Sequence, residues 1–321
     1  MGGALRFFAS GYSAAGEDDL LELEVGADGA LRRLGGCRTG RSPSSLCRGA
    51  DGVWYAGCEQ ADGAAVLRLC GLRVAAEFPV PGAGLCHVSA GQAGVFGCCY
   101  QSGDVFLLGY GGEVLWRRAP RAGRRPAHAH CSVMLPGGGA MAWADLGRDA
   151  LYAMRLENGV PYGSALRKRL EPGDGPRQLL CLPGGRAAAV LENGNALLVL
   201  EGPGRGWRAR QRLAATAAAG DNYPGGACLA PDGTLFLANR GADSIAAFRP
   251  GAQGYAPVGE WPAGGSWPRW TAFAGGFVLA ACQKSGLITC HRWRGGQLTL
   301  CGALALHGAS CVVQAEEQRR E

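Results

Sequence analysis

Apolar residues run along the chain in short stretches, each closed by a turn of Gly, Pro, Asp or Asn, and no window sustains helical spacing. Leu197-Leu198-Val199-Leu200 and Ile245-Ala246-Ala247-Phe248 are typical: brief, apolar and bounded by turn residues, as strands are. The stretches also repeat. Ala230-Pro231-Asp232-Gly233 leads into Thr234-Leu235-Phe236-Leu237-Ala238-Asn239-Arg240-Gly241. Leu135-Pro136-Gly137-Gly138-Gly139 leads in the same way into Ala140-Met141-Ala142-Trp143-Ala144-Asp145, and Ala50-Asp51-Gly52 into Val53-Trp54-Tyr55-Ala56-Gly57-Cys58-Glu59.

The residue after this strand in successive units is Gly11, Glu59, Tyr100, Leu146, Glu192, Arg240 and Gln283, at spacings of 48, 41, 46, 46, 48 and 43. Seven units of roughly 45 residues with four short strands each predict an all-β fold, a seven-bladed β-propeller. The expectation is a single domain over residues 1–321. After Gln283 only 38 residues remain, and the first unit lacks a strand before Leu5. Cys311-Val312-Val313-Gln314 is therefore expected to complete the N-terminal blade, which removes an open sheet edge. The charged end, Glu316 to Glu321, is expected to fray.

Composition narrows the class further. Of 321 residues 55 are Gly, 47% are hydrophobic and only 18% charged, which excludes a disordered chain. The net charge of +6 is spread out, and all but two of the 32 basic residues are arginines. The basic clusters Arg117–Arg125 and Arg167–Arg169 read as solvated, Pro- or Gly-flanked loops, so no nucleic-acid partner is expected. There is no long apolar run, and Met1-Gly2-Gly3-Ala4-Leu5-Arg6 is unlike a secretory leader. The expectation is a cytoplasmic protein with no membrane contact, a monomer or weak dimer. The 14 cysteines contain no CxxC pair and sit largely in apolar runs, so they are read as reduced core residues.

In each blade the first strand and the second form an antiparallel hairpin, so the start of one and the end of the other share a mouth. The strand ends are the seven marked residues. The strand starts, 13 to 16 residues earlier, are Ser44, His87, His130, Arg177, Gly225 and Arg269, with Ser310 from the closing strand. The two rings concentrate His87, His130, Glu59, Glu192, Arg177, Arg240 and Arg269 in a charge-poor chain, with His128 two positions before His130. Arginine forks suit an anionic small molecule. A His and a Glu beside them suit water activation or proton transfer, and the arginines suit a developing oxyanion. His130, Arg177, Glu192 and Arg240 form the sharpest set, with Arg269 and His87 as outer contacts. Asp145, Asp243 and Asn239 read as strand-end caps. There is no GxSxG elbow, HExxH or P-loop, and no carboxylate cluster for calcium or magnesium. His128 and His130 have only Cys131 nearby as a third zinc ligand, so no metal and no cofactor are expected.

These residues resemble the seven-bladed propeller lactonases, which include 6-phosphogluconolactonases and carboxymuconate-lactonising enzymes. The resemblance rests on His128-Ala129-His130, Gly175-Pro176-Arg177, Asn222-Tyr223-Pro224, Ala238-Asn239-Arg240-Gly241 and Trp267-Pro268-Arg269. It implies that the active-site His of the lactonising relatives falls on His130, their Arg pair on Arg177 and Arg240, and their Glu on Glu192. The remaining ring residues His87, Arg269, Glu59 and Gln283, with His128 beside them, are read from the ring argument as the substrate-binding set. Cys58, Cys99, Leu191 and Cys282 stand where relatives tend to carry Asn. The expected activity is metal-free hydrolysis of an anionic lactone such as 6-phospho-D-glucono-1,5-lactone, with either His130 or Glu192 as base. The alternatives are a muconate-type lactonising cycloisomerase, and a non-catalytic propeller that binds a metabolite or a protein.

Overall fold

The computed structural model describes residues 4–203 and 206–315. The charged end at 316–321 lies outside the described residues. Among the described residues there are twenty-eight strands in seven four-stranded antiparallel sheets, and no helix. The first sheet holds β1 (Leu5–Gly11), β2 (Leu20–Val25) and β3 (Leu31–Cys37). The second holds β4 (Pro43–Arg48), β5 (Trp54–Gln60), β6 (Gly63–Cys70) and β7 (Arg73–Pro79). The third holds β8 (Leu85–Ala90), β9 (Gly94–Cys99), β10 (Val105–Gly109) and β11 (Val114–Arg118). The fourth holds β12 (Ala129–Met134), β13 (Ala140–Asp145), β14 (Ala150–Glu157) and β15 (Val160–Arg169). The fifth holds β16 (Pro176–Leu182), β17 (Arg186–Leu191), β18 (Ala196–Glu201) and β19 (Arg208–Ala214). The sixth holds β20 (Tyr223–Leu229), β21 (Leu235–Arg240), β22 (Ser244–Gly251) and β23 (Gly254–Pro262). The seventh holds β24 (Pro268–Ala274), β25 (Phe277–Cys282), β26 (Leu287–Arg294) and β27 (Gln297–Ala305), and β28 (Ala309–Gln314) returns to the first sheet.

Each marked residue falls at the end of the second strand of its sheet or directly after it. The closing strand is also where the sequence places it. β28 lies antiparallel to β1, with Ser10 opposite Cys311, Ala9 opposite Val312 and Phe8 opposite Val313.

The chain divides into two compact units, Ser44–Ala214 and the two segments Met1–Pro43 with Ala215–Glu321. Both follow the same packing logic. Second and third strands are covered on both faces, so β9 and β10 are buried along their whole length and read as unbroken apolar runs. Fourth strands alternate instead: β7 exposes Arg73, Ala75 and Glu77 and half-buries Val74, Ala76 and Phe78. In the 44–214 unit, Leu135, Ala144, Leu151, Leu179, Ala189 and Leu198 pack into one core. In the other unit, Phe7, Leu23, Leu279, Ile288 and Val312 do the same.

Turn chemistry fixes the hairpins. At Pro231-Asp232-Gly233 the Asp232 carboxylate accepts from Thr234 N–H at 2.9 Å, and Gly233 takes φ of +83°, where a side chain is strained. Buried aspartates tie the connectors between sheets. Asp149 accepts from Gly173 N–H (2.9 Å) and Gly175 N–H (2.8 Å), while Asp19 accepts from Thr39 N–H (2.8 Å) and Gly40 N–H (2.9 Å). Asp145, Asp243 and Asn239 are caps, as their sequence context suggests. Asp145 accepts from His128 N–H and Arg148 N–H, Asp243 accepts from Trp267 N–H, and Asn239 donates to the Ala215 carbonyl.

Candidate active site

A repeated irregularity positions the site residues. At the start of β12, Ala129 pairs with Asp145 and Cys131 with Ala144, so His130 is the extra residue of a β-bulge. The same slip makes Arg177 the extra residue of β16, Arg269 of β24, Ser310 of β28 and Cys86 of β8. A bulge re-aims its extra side chain and ends the regular pairing, a device common beside active sites. A second repeated bond closes the same strand ends. The N–H groups of Tyr100, Leu146, Glu192 and Gln283 donate to the carbonyls of Gly84 (2.7 Å), His128 (2.9 Å), Gly175 (2.8 Å) and Trp267 (3.0 Å). By this register Cys86, not His87, is the counterpart of His130; the sequence offered no sign of the one-residue offset.

In the 44–214 unit the structure brings His130, Arg177 and Glu192 together. Arg177 Nη1 lies 2.7 Å from Glu192 Oε2 and 2.7 Å from His130 Nε2. Arg177 and His130 are buried, while the Glu192 side chain keeps 19% of its surface exposed. A guanidinium only donates, so His130 Nε2 is the acceptor and the ring is neutral with its proton on Nδ1. His128 faces a different partner: its Nδ1–H donates to the Tyr100 carbonyl at 2.7 Å. The Tyr100 ring stacks on His128 at 4.5 Å and meets His130 edge-on at 5.7 Å. Tyr100 thereby fixes both imidazoles. The sequence placed it on the strand-end ring but gave no reason to single it out.

His87 lies deeper. It accepts at Nδ1 from Ser132 N–H (3.4 Å), which leaves its proton on Nε2 facing Cys131 Sγ at 3.6 Å. Burial, helped by the nearby Arg177 charge, lowers its pKa to about 4, so it stays neutral. Burial pushes the Cys131 thiol up to about 12, which makes it a packing group and not a nucleophile. All fourteen cysteines are free and eight are buried. Glu59 sits half-buried on β5, opposite Ala64 of β6.

In the unit of residues 1–43 and 215–321, the motif residues interlock around Arg240 and Trp267. Arg240 Nε donates to the Tyr223 carbonyl (2.9 Å) and its Nη2 to the Pro224 carbonyl (3.2 Å). Its guanidinium lies 5.6 Å from the centre of the Trp267 ring, and Lys284 Nζ lies 3.4 Å from the same ring. Asn222 donates to Asn239 at 3.0 Å, which pins the preceding strand end. Arg269 lies over the Tyr12 ring at 5.3 Å. Gln283 lines a cavity of about 350 Å³ with Tyr12, Lys284 and His307.

Trp267 is the unexpected member. Its φ is +62°, while its counterparts in the carbonyl position of the repeated bond include Gly84, Gly175 and Gly308, all at positive φ. A bulky residue in the left-handed region is strained, and such strain gathers at functional sites. The main chain is held there by Asp243, whose carboxylate accepts from the Trp267 backbone N–H at 2.7 Å.

Among the described residues, no three His, Cys, Asp or Glu side chains form a group able to hold a metal ion. In the His128-Ala129-His130 pair, His128 Nδ1 faces the Tyr100 carbonyl and His130 Nε2 faces Arg177.

The sequence and the fold have recognisable relatives. A family profile described as "Lactonase, 7-bladed beta-propeller" matches residues 6–314. Over 179 residues the chain is 30% identical to the 6-phosphogluconolactonase of Bacillus subtilis. That match covers 53% of this chain and 51% of the relative, so the chain spans about half the length of the curated relative it matches. Among solved structures, a protein from Bacteroides uniformis superposes with a TM-score of 0.87 at 24% identity, covering 97% of this chain and 99% of that one. The periplasmic gluconolactonase of Pseudomonas aeruginosa superposes with a TM-score of 0.86 at 22% identity, covering 97% of this chain and 99% of that one. Seven four-stranded sheets, a C-terminal strand paired with β1 and a profile match across nearly the whole chain lead to one conclusion: this chain belongs to the lactonase family of seven-bladed β-propellers.

Proposed function

We propose that the protein hydrolyses an anionic sugar lactone, with 6-phospho-D-glucono-1,5-lactone as the first candidate substrate. The family and the B. subtilis relative support the reaction class. The observation that carries the mechanism is the double contact of Arg177 Nη1 with Glu192 and His130.

Of the three side chains, Glu192 is the one that meets solvent, so we assign it the water. Glu192 takes a proton as the water oxygen bonds to the lactone carbonyl carbon, and the carbonyl oxygen becomes an oxyanion. Arg177 makes both its contacts from Nη1, so its Nε–H and Nη2–H groups are available to that oxyanion. Collapse of the tetrahedral intermediate breaks the bond to the ring oxygen, which receives the proton from Glu192. The new carboxylic acid loses its own proton to solvent. His130 positions Arg177 by accepting from it. Arg240 is carried over through the family resemblance alone, as a further arginine suited to anionic groups.

The reading is tested by following hydrolysis of freshly made 6-phosphogluconolactone and of unphosphorylated gluconolactone by proton NMR, against spontaneous hydrolysis. Acceleration is expected for both, with the lower KM for the phosphorylated substrate. No acceleration of either by folded protein rejects the reading.

A further inference from the structure

Two basic clusters that look like separate solvated loops in the sequence meet in the 44–214 unit. The connector after β11, the turn between β13 and β14, and the end of β15 enclose a cavity of about 450 Å³. Arg124, Arg125, Arg148, Arg167 and Arg169 line it, with Asp149 as its one carboxylate. An adjoining cavity of about 320 Å³ shares Arg148 and Arg167 and adds Arg118, Arg121 and Asp145. Seven arginines therefore face two aspartates, and both aspartates are buried and committed. Asp149 binds Arg125 and the connector N–H groups, and Asp145 caps the backbone of His128 and Arg148.

The cavity is built rather than incidental. Arg148 donates from Nε to the Arg125 carbonyl (3.1 Å) and from Nη2 to the Arg121 carbonyl (2.6 Å), which pins the connector in place. Trp143 and Tyr152 stack at 4.9 Å and 9°, and guanidinium groups lie against this pair: Arg118 at 5.5 and 5.9 Å from the two rings, Arg167 at 5.7 Å from Tyr152. Cation–π contact orders a guanidinium without using its N–H donors. None of Arg118, Arg121, Arg124, Arg167 and Arg169 forms an ion pair among the described residues. Like charges gathered in one concavity repel unless an anion lies among them, and several ordered forks match a ligand with several phosphate groups.

We propose that this cavity is a second ligand site, separate from His130, Arg177 and Glu192, that binds a compact polyphosphate group. The aromatic faces are already covered by guanidinium groups, so recognition is by charge and not by stacking on a base. The volume suits a tripolyphosphate-sized ligand better than an extended nucleic-acid strand.

The test is calorimetric titration of sodium tripolyphosphate, ATP, orthophosphate and a short oligothymidylate into the full chain. It is repeated with R124E/R169E and with R186E/R208E, a control of equal charge change outside the cavity. Arg124 and Arg169 are exposed, so the first variant is expected to keep its melting temperature; R124Q/R169Q replaces it if it does not. Saturable one-to-one binding of tripolyphosphate and ATP is expected, at least tenfold weaker in R124E/R169E and within twofold of the parent in the control. Absence of saturable tripolyphosphate binding, equal loss in both double variants, or preference for the oligonucleotide overturns the proposal.

Discussion

Arg177 lies 2.7 Å from His130 Nε2, and this contact sets the protonation form of the histidine. Because arginine only donates, His130 must offer a lone pair at Nε2. A glutamine at this position presents an oxygen acceptor at similar reach, whereas leucine presents none. His130→Gln is therefore expected to retain at least tenfold more kcat than His130→Leu. Arg177→Lys removes the planar fork and is expected to lower kcat about 100-fold, the scale of a lost oxyanion donor. Steady-state lactone hydrolysis, with near-UV circular dichroism to confirm folding, checks both. Equal activity of the Gln and Leu variants contradicts the positioning role.

Trp267 provides an independent test of the cationic surface around Arg240. Its strained φ disappears in Trp267→Gly, the residue found at the counterpart positions Gly84, Gly175 and Gly308. The relief opposes the loss of contact with Arg240 and Lys284, each worth about 0.5–2 kcal/mol. Net stability is expected to change by less than about 1 kcal/mol. KM for a phosphorylated lactone is expected to rise several-fold with kcat nearly constant. A denaturation midpoint far below the parent value, with KM unmoved, makes Trp267 a purely structural residue.

The buried histidines make stability depend on pH. His87 has its pKa lowered by burial and then by Arg177 to about 4, against 6.5 for an ordinary histidine, and burial also lowers that of His291. Below about 6.5 the unfolded chain binds protons that the folded chain refuses, so stability falls as the pH drops toward 4. His87 accounts for about 3 kcal/mol across that window, and nothing above it. Urea midpoints at pH 7.5 and pH 5 are expected to differ markedly in the parent and less in His87→Phe. An unchanged difference in the variant assigns the effect elsewhere.

The closing strand is expected to be indispensable to the first sheet. Val312 is fully buried opposite Ala9. Val312→Asp places an uncompensated carboxylate there and exposes the β1 edge, at an expected loss of more than about 4 kcal/mol. Loss of cooperative thermal unfolding, or of soluble expression, is the readout; a melting temperature within a few degrees of the parent refutes it.

Much of this was readable in the amino-acid order because propeller strands repeat. All seven marked residues fall at strand ends, and β28 joins β1, since buried strands and Asp-Gly turns leave periodic traces. The strand-start bulges leave none. His87 and Cys86 differ by one position, and only the pairing of Leu85 with Cys99 and His87 with Cys98 separates them. The union of Arg118–Arg125 with Arg167 and Arg169 was hidden for another reason. It depends on how the β11 connector packs beside β15, and local spacing carries no information on that. Trp267 stands out in the sequence only as part of the Trp267-Pro268-Arg269 motif, and its left-handed φ is visible only in three dimensions.

The most direct test of the account is the rate of 6-phosphogluconolactone hydrolysis by the parent and by Glu192→Gln, an isosteric change that keeps a partner for Arg177 but removes the proton acceptor. The account predicts acceleration well above the spontaneous rate by the parent and loss of at least 100-fold in kcat for the variant, with its melting temperature preserved. A Glu192→Gln protein that hydrolyses the lactone at the parent rate contradicts it.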